Sequence, residues 1–166
     1  MARDLVPVDL GFLASAPHRT VREVRIAAPP EKVFAALACD PGGWGLWFPG
    51  FSRSGRYVTA GPHGVDSERE MRLAGLRLVE TVLAWEEPSR WAFRVSSAPL
   101  PFVRAMAEDY RITRQDGGSV LTWTVAVDGT GPMKHAGGVV DAVAGALLRR
   151  AGRNLERRLQ AAAGMD

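Results

Sequence analysis

The sequence is short of cysteine, lysine and long apolar runs, and each shortage excludes a class of protein. Cys39 is the only cysteine, so no disulfide can form within the chain, and this usage is typical of a reducing compartment. Lys32 and Lys134 are the only lysines, and the net charge of +3 rests on arginine. No stretch approaches the ~20 apolar residues of a membrane-spanning helix. We therefore expect a cytoplasmic protein with no membrane span and, given its mild charge, no nucleic-acid partner.

Motifs for metals and cofactors are equally scarce. His18, His63 and His135 stand in three separate regions, without a cysteine or a helical histidine partner, which argues against a metal site. The glycine-containing segment that ends in Lys134 lacks the spacing of a phosphate-binding loop. A Gly-x-Ser-x-Gly motif is absent as well. We predict neither a metal nor a cofactor.

The N-terminal segment predicts a surface arm rather than a secretory leader. Two acidic residues and Pro7 interrupt the ~7–15 apolar residues that a leader peptide needs. We expect residues 1–19 to lie along the surface of the domain, anchored by Leu10 and Phe12.

The last long stretch, residues 132–163, predicts an amphipathic helix. Its apolar residues recur at spacings of three and four, which places one set on a single side of a helix: Val140, Ala144, Leu147, Leu148, Ala151, Leu155 and Leu159. The opposite side carries Arg149, Arg150, Arg153, Arg157 and Arg158. No other segment has this length, so the apolar stripe must pack against strands.

Short runs rich in Val, Thr, Trp and Phe precede the helix and predict antiparallel strands. A first strand is predicted over residues 20–27, followed by two short helices. Six further strands are predicted over residues 51–60, 65–74, 76–86, 90–98, 103–115 and 119–128. The composition, 46% hydrophobic in 166 residues, fits one domain over residues 20–166. We predict an α+β fold in which a curved, seven-stranded antiparallel sheet wraps around the C-terminal helix.

Alternation along these strands brings polar residues onto the inward face. Arg104 and Glu108 share the parity of Tyr110, and Arg69 lies on the apolar parity of its own strand. An ionised side chain on that face costs several kcal/mol unless it has a partner or water. These positions are therefore candidates for acid–base or anion-binding work, although a strand end or a bulge explains the same pattern. Strand 76–86 has apolar residues on both parities, so its orientation stays open.

The order of one strand, two short helices, six strands and a long helix resembles the START/polyketide-cyclase superfamily, often called SRPBCC. The likeness covers residues 20–163 and is carried by residues 26–37, Asp40-Pro41 with Trp44 and Trp47, residues 80–88 and residues 117–123. Residues 8–17 and 102–110 also resemble uncharacterised bacterial members. The resemblance implies a helix-grip fold with a cavity between sheet and helix. Members include polyketide aromatase/cyclases and carriers of lipids and hormones.

The implied cavity needs large rings and adaptable thioethers to hold a flat, apolar ligand. The ligand-binding residues that we expect are Trp47, Phe51, Met71, Trp91, Phe93, Met106, Tyr110, Trp123, Met133 and Val140. The same residues would equally fill a solid core. The Gly/Pro-flanked aromatic segment 44–51 is predicted to be the lid or mouth of the cavity. Because polyketide cyclases commonly position a ketone chain with an inward Arg and Tyr, the catalytic candidates are Arg69, Glu108 and Tyr110.

Three functions stay open on the sequence alone. The favoured one is binding of a small hydrophobic or polyketide/lipid-like ligand, and the second is a cyclase, aromatase or dehydratase-like enzyme that uses the same cavity. In the third, the arginines of residues 149–158 hold RNA, an acidic protein or an anionic membrane. Exposure of this face of the helix to solvent explains the arginines equally well, and no binding partner is then needed. The expected partner is a small hydrophobic molecule, and both a monomer and a homodimer fit the sequence.

Overall fold

The computed structural model describes residues 2–163, which form one antiparallel sheet and one long helix. The elements in chain order are β1 (Arg3–Asp4), α1 (Phe12–Ser15), β2 (His18–Ile26), α2 (Pro30–Phe34) with a π-helical turn (Ala35–Cys39), α3 (Trp44–Trp47), β3 (Arg56–Tyr57), β4 (Glu68–Leu73), β5 (Leu76–Glu86), β6 (Arg90–Ala98), β7 (Val103–Gln115), β8 (Gly118–Gly129), a 3-10 turn (Gly131–His135) and α4 (Gly137–Ala163). The predicted α+β class is confirmed. Among the described helices, none is long and apolar enough to cross a membrane.

The sheet has the strand order β2-β8-β7-β6-β5-β4-β3, and β1 adds to β6, so it contains eight strands rather than seven. All pairings are antiparallel. The predicted strand over residues 51–60 is much shorter than expected, because only Arg56 and Tyr57 pair with β4. Serine and glycine at residues 52–55 explain the loss, since such residues favour turns over strands.

Helix α4 lies against the sheet with the predicted face. Leu148, Leu155 and Leu159 are buried, whereas Arg153 and its arginine neighbours along the helix back are exposed. Gly152 lets the helix approach β2 closely, because a Cβ at this position would lie 2.7 Å from the side chain of Val24. The predicted placement of the helix is therefore confirmed.

Strand β5 owes its mixed apolar pattern to two irregularities in its pairing with β6. The register shifts between Val79 and Glu80 and again between Val82 and Ala84. A bulge inserts one residue and thereby exchanges the two faces of a strand. Apolar residues on both parities consequently face the core at different points along β5.

The N-terminal arm takes part in the sheet as well as covering it. Its β1 pairs with the end of β6, and Leu5 is buried in the main core. Arg3 donates hydrogen bonds from Nη2 to the carbonyl oxygens of three residues in the loop before β7, over residues 100–103, at 2.8–2.9 Å. Farther along, Leu13 is buried against the outer face of the sheet, whereas the predicted anchors Leu10 and Phe12 are only partly buried beside it.

Candidate functional site

A largely enclosed cavity of about 130 Å³ lies between the sheet and α4. We call it the inner cavity, and it is lined by Phe48, Phe51, Leu73, Leu78, Glu80, Val95, Met106, Glu108, Val125, Ala144, Leu147 and Leu148. All of these side chains are apolar except two, Glu80 from β5 and Glu108 from β7. An engineered apolar cavity of ~150 Å³ takes up benzene, so the inner cavity has room for one ring or the end of a chain.

A second, larger space adjoins the inner cavity and opens towards solvent. We call it the outer groove; it has a volume of about 510 Å³ and is lined by Phe102, Val103, Met106, Val125, Val127, Pro132, Met133, Ala136, Val139, Val140, Val143, Ala144 and Leu147. Four of these residues also line the inner cavity: Met106, Val125, Ala144 and Leu147. Phe102, Val139 and Val143 are exposed and mark the mouth. The groove alone falls within the ~300–1,000 Å³ that is typical of ligand pockets.

Glu108 is the carboxyl group at the end of this apolar path. Its Oε2 accepts hydrogen bonds from the Tyr110 hydroxyl and, at 2.9 Å, from Trp123 Nε1. Its Oε1 accepts none from the described residues. Burial, the largest influence, raises the pKa of Glu108 from 4.5 to about 7, although both hydrogen bonds work in the opposite direction. Glu108 therefore exchanges its proton near neutral pH.

Tyr110 keeps its proton and serves as a fixed donor. Burial and the adjacent carboxyl of Glu108 raise the pKa of Tyr110 well above 10. Its ring packs against Trp123 at a tilt of 40°, with centroids 4.8 Å apart, and is fully buried. The hydroxyl therefore donates its one hydrogen bond to Glu108 and has none to donate to a ligand.

Arg69 and Glu80 form a buried ion pair behind the inner cavity. The Arg69 guanidinium donates to Glu80 Oε2 and to the carbonyl oxygen of Leu37, the latter at 3.2 Å. Its central carbon lies 4.3 Å from the ring of Trp91 and 4.5 Å from that of Trp44, which is the geometry of a cation–π contact. Burial raises the pKa of Glu80, and the adjacent guanidinium opposes that effect. Arg69 therefore adjoins the inner cavity through Glu80 and does not line it.

The structure brings some of the predicted site residues together and disperses others. Glu108 touches Tyr110 and Trp123, as their shared inward parity predicts. Of the expected ligand-binding residues, Phe51 and Met106 line the inner cavity, and Met106, Met133 and Val140 line the outer groove. The others pack in the buried core outside the lining of both spaces: Trp47, Met71, Trp91, Phe93, Tyr110 and Trp123.

Two expectations need correction. Arg104 does not face inward: its guanidinium is exposed and pairs with Asp128 across to β8, because a register shift between Val103 and Ala105 turns the start of β7. The aromatic segment 44–51, predicted to be the lid or mouth, contributes no residue to the exposed outer groove. Trp44 and Trp47 are buried, while Phe48 and Phe51 line the inner cavity.

Glu80 is the site residue that the sequence did not reveal. Its strand carries apolar side chains on both parities, so alternation could not assign Glu80 to a face. A carboxylate within a strand otherwise rich in Val, Leu and Trp is a weak signal in itself, because exposed strand edges also carry such residues. In the structure Glu80 shares the inward face of Leu78 and Val82, and the bulge at Leu83 brings the opposite parity inward only beyond that point.

Comparisons with known proteins agree with this architecture. The family described as polyketide cyclase / dehydrase and lipid transport matches residues 17–162. The uncharacterized protein Rv2574 of Mycobacterium tuberculosis is 36% identical over 152 residues, which cover 90% of this chain and 89% of that protein.

Two solved structures share the fold. A START superfamily protein from Mycobacterium smegmatis superimposes with a TM-score of 0.70 at 17% identity, over 86% of this chain and 97% of that chain. Ginseng major latex-like protein 151 from Panax ginseng gives a TM-score of 0.65 at 12% identity, over 84% and 95%. With the family match extending over nearly the whole described chain, the protein belongs to the polyketide cyclase / dehydrase and lipid transport family and has a START-like fold.

Proposed function

We propose that the protein binds a small hydrophobic molecule of polyketide or lipid type in the outer groove and inner cavity. The observation that carries the proposal is that four residues line both spaces, so the apolar groove with exposed Phe102 and Val143 adjoins the cavity that contains the carboxyl of Glu108. A mostly apolar path with a few convergent polar groups is the usual form of a small-molecule site. The exposed arginines of α4 line neither space and have no part in this proposal.

The test measures the affinity of a neutral fluorescent probe, N-phenyl-1-naphthylamine, for the wild-type protein and for variants in which a larger side chain fills the site. Ala144 lines both spaces, so Ala144→Phe should fill their junction and lower the probe affinity at least tenfold. Ala146→Phe is the matched control, because Ala146 is exposed on the same helix and should leave the affinity unchanged. Should Ala144→Phe fail to fold, Val140→Trp narrows the outer groove alone. Equal probe affinity in the filled, folded variants and in the wild type contradicts the proposal.

A second candidate function is catalysis in the same cavity, and one observation favours it. Glu108 has a pKa of about 7 and presents an oxygen without a hydrogen-bond partner to an apolar space. A carboxyl group with that pKa both accepts and donates protons near neutral pH, as a general acid–base catalyst must. On a poly-ketone, Glu108 would remove a proton from carbon beside a carbonyl group; this carbon would then bond to a second carbonyl carbon of the chain, whose oxygen would take the proton back from Glu108 as a hydroxyl. In a second round, Glu108 would remove another proton from the same carbon and return it to that hydroxyl, which would leave as water.

Glu108→Gln separates the two functions. The amide preserves the shape and accepts the hydrogen bonds from Tyr110 and Trp123, but it cannot exchange a proton. If the protein is an enzyme, the variant should bind a poly-ketone substrate and lose its turnover. Unchanged poly-ketones after incubation with the wild-type protein, across a panel of chain lengths, would leave ligand binding as the function.

A further inference from the structure

Above neutral pH, where Glu108 has lost its proton and Glu80 is paired with Arg69, the polar end of the binding site offers hydrogen-bond acceptors and no donors. Only Glu80 and Glu108 contribute polar side chains to the inner cavity, and the outer groove has none among the described residues. We propose that the ligand is an apolar molecule whose polar end donates a hydrogen bond, a hydroxyl or an amine, and that the site rejects apolar acids. This inference rests on the proposed function and names the class of ligand.

The donors next to Glu108 are already engaged, as are two of the three nitrogens of Arg69. Tyr110 and Trp123 both donate to the same oxygen of Glu108, which leaves the other oxygen, Oε1, for a ligand. The guanidinium of Arg69 is fully buried, is engaged by Glu80 and lies among aromatic rings. A carboxylate that entered this cavity would therefore meet two carboxyl groups and find no donor within the lining.

Five buried side-chain nitrogens among the described residues have no hydrogen-bond partner, and none of them changes this conclusion. They are His18 Nε2, Trp47 Nε1, Arg69 Nη2, Trp91 Nε1 and Arg94 Nε. Each is inaccessible to solvent, and none of the five residues lines the inner cavity or the outer groove. A ligand in the cavity reaches the two carboxyl groups instead.

The net charge of the protein opposes the proposed preference for hydroxyl and amine ligands over acids. A measured preference of this kind therefore has to come from the lining of the cavity. The net charge of the protein is +3, so attraction from a distance favours an anionic ligand over a cationic one. A cationic or hydroxyl ligand that binds more tightly than an acid of equal length must therefore gain its advantage locally. Inside an apolar cavity, a carboxylate without a partner loses its hydration and gains no hydrogen bond in return.

The experiment compares three ligands with the same ten-carbon chain: 1-decanol, decylamine and decanoate. Each displaces N-phenyl-1-naphthylamine from the delipidated protein at pH 8, below its micellar concentration. We expect decanol and decylamine to bind at least tenfold more tightly than decanoate. Glu108→Gln introduces a donor at the cavity wall, so it should weaken decylamine and strengthen decanoate. Glu23→Gln, an exposed substitution on β2, should preserve the order of the wild type.

A pH series on the wild-type protein gives an independent measurement in case Glu108→Gln does not fold. Decylamine keeps its charge between pH 5.5 and 8.5, since amines of this type have a pKa of about 10.4. Its affinity should rise at least fivefold across this range as the inner cavity becomes ionised. The charged or titratable groups around Glu108 are Arg69 on β4, Glu80 on β5 and Tyr110 on β7; β8 and α4 contribute uncharged lining residues there.

The outcomes separate the inference from the function on which it rests. If neither the probe nor any of the three ligands binds, the proposed function fails. If all three bind and decanoate binds as tightly as the others or more tightly, the function stands and the inference is overturned. A preference that Glu108→Gln leaves unaltered, or an affinity for decylamine that is constant from pH 5.5 to 8.5, also overturns it.

Discussion

Replacing Glu108 by glutamine should change the pH dependence of folding in a defined direction. The pKa of Glu108 is about 7 in the folded protein and close to 4.5 when the chain is unfolded. Between these values the folded chain holds a proton that the unfolded chain has lost, so the free energy of unfolding falls as the pH rises. The stabilisation from this group is complete below pH ~4.5 and is lost as the pH passes through about 7.

The size of the effect follows from the two pKa values. At ~1.36 kcal/mol for each pH unit, the full difference corresponds to about 3 kcal/mol, of which about 2.5 kcal/mol falls between pH 5 and pH 8. Glutamine remains neutral throughout. The free energy of unfolding of the wild type, minus that of Glu108→Gln, should therefore decrease by about 2.5 kcal/mol over this range.

The assay is urea unfolding at 25 °C and at half-unit intervals of pH, on the wild type, Glu108→Gln and the exposed control Glu23→Gln. Subtraction removes every group that the two proteins titrate in common. The control difference should stay within about 0.5 kcal/mol at all pH values. A wild-type-minus-Glu108→Gln difference that is constant with pH would refute the raised pKa, and one that increases with pH would show that the cavity stabilises the carboxylate.

Three further substitutions test the packing around the site. Leu155→Ala should lower the free energy of unfolding by ~2–5 kcal/mol in urea melts, because Leu155 is fully buried. Arg153→Ala, at an exposed position, should change it by less than ~0.5 kcal/mol. Equal effects would show that the face of α4 packed against the sheet is assigned wrongly. Gly152→Ala should lower the thermal midpoint although alanine favours helices, because the new Cβ overlaps a side chain of β2; a rise would contradict the close approach. Arg69→Met should lower the free energy of unfolding by ~3–5 kcal/mol at pH 8, and by less at pH 5, where Glu80 can take up a proton. The double variant Arg69→Met/Glu80→Leu should recover most of that loss in the same melts. Additive losses from the two substitutions would rule out a paired charge.

The parts of the site that the sequence predicts are those on regular strands. Along β7 and β8 the alternation is clean and the turn between the strands is short, so the period of two by itself assigns Glu108, Tyr110 and Trp123 to one face. The stripe of α4 likewise identifies its buried face, because the helical period persists over the whole segment.

The parts that escaped prediction depend on irregular pairing and on contacts between distant segments. The bulge at the start of β7 reverses the face of Arg104, and the bulge at Leu83 mixes the parities of β5 and so hid the inward face of Glu80; bulges leave no reliable mark in a single sequence. The aromatic segment 44–51 was expected at the mouth, yet Trp44 packs on Arg69 from β4. Pairing of a buried cation with rings and a carboxylate is decided by the folded arrangement, which strand periodicity does not encode.

The loop before β7 forms part of the rim of the outer groove, and Arg3, from a different segment of the chain, holds this loop in place. This loop carries Phe102 at the mouth, whereas Arg3 lies outside residues 17–162, where the family match is found. The walls of the cavity thus belong to the shared domain, but one rim of its entrance is fastened by a segment beyond that domain. Exchange of the arm between relatives would change the support of the rim at Phe102 and the core contact of Leu5, while the residues that line the two spaces stay the same.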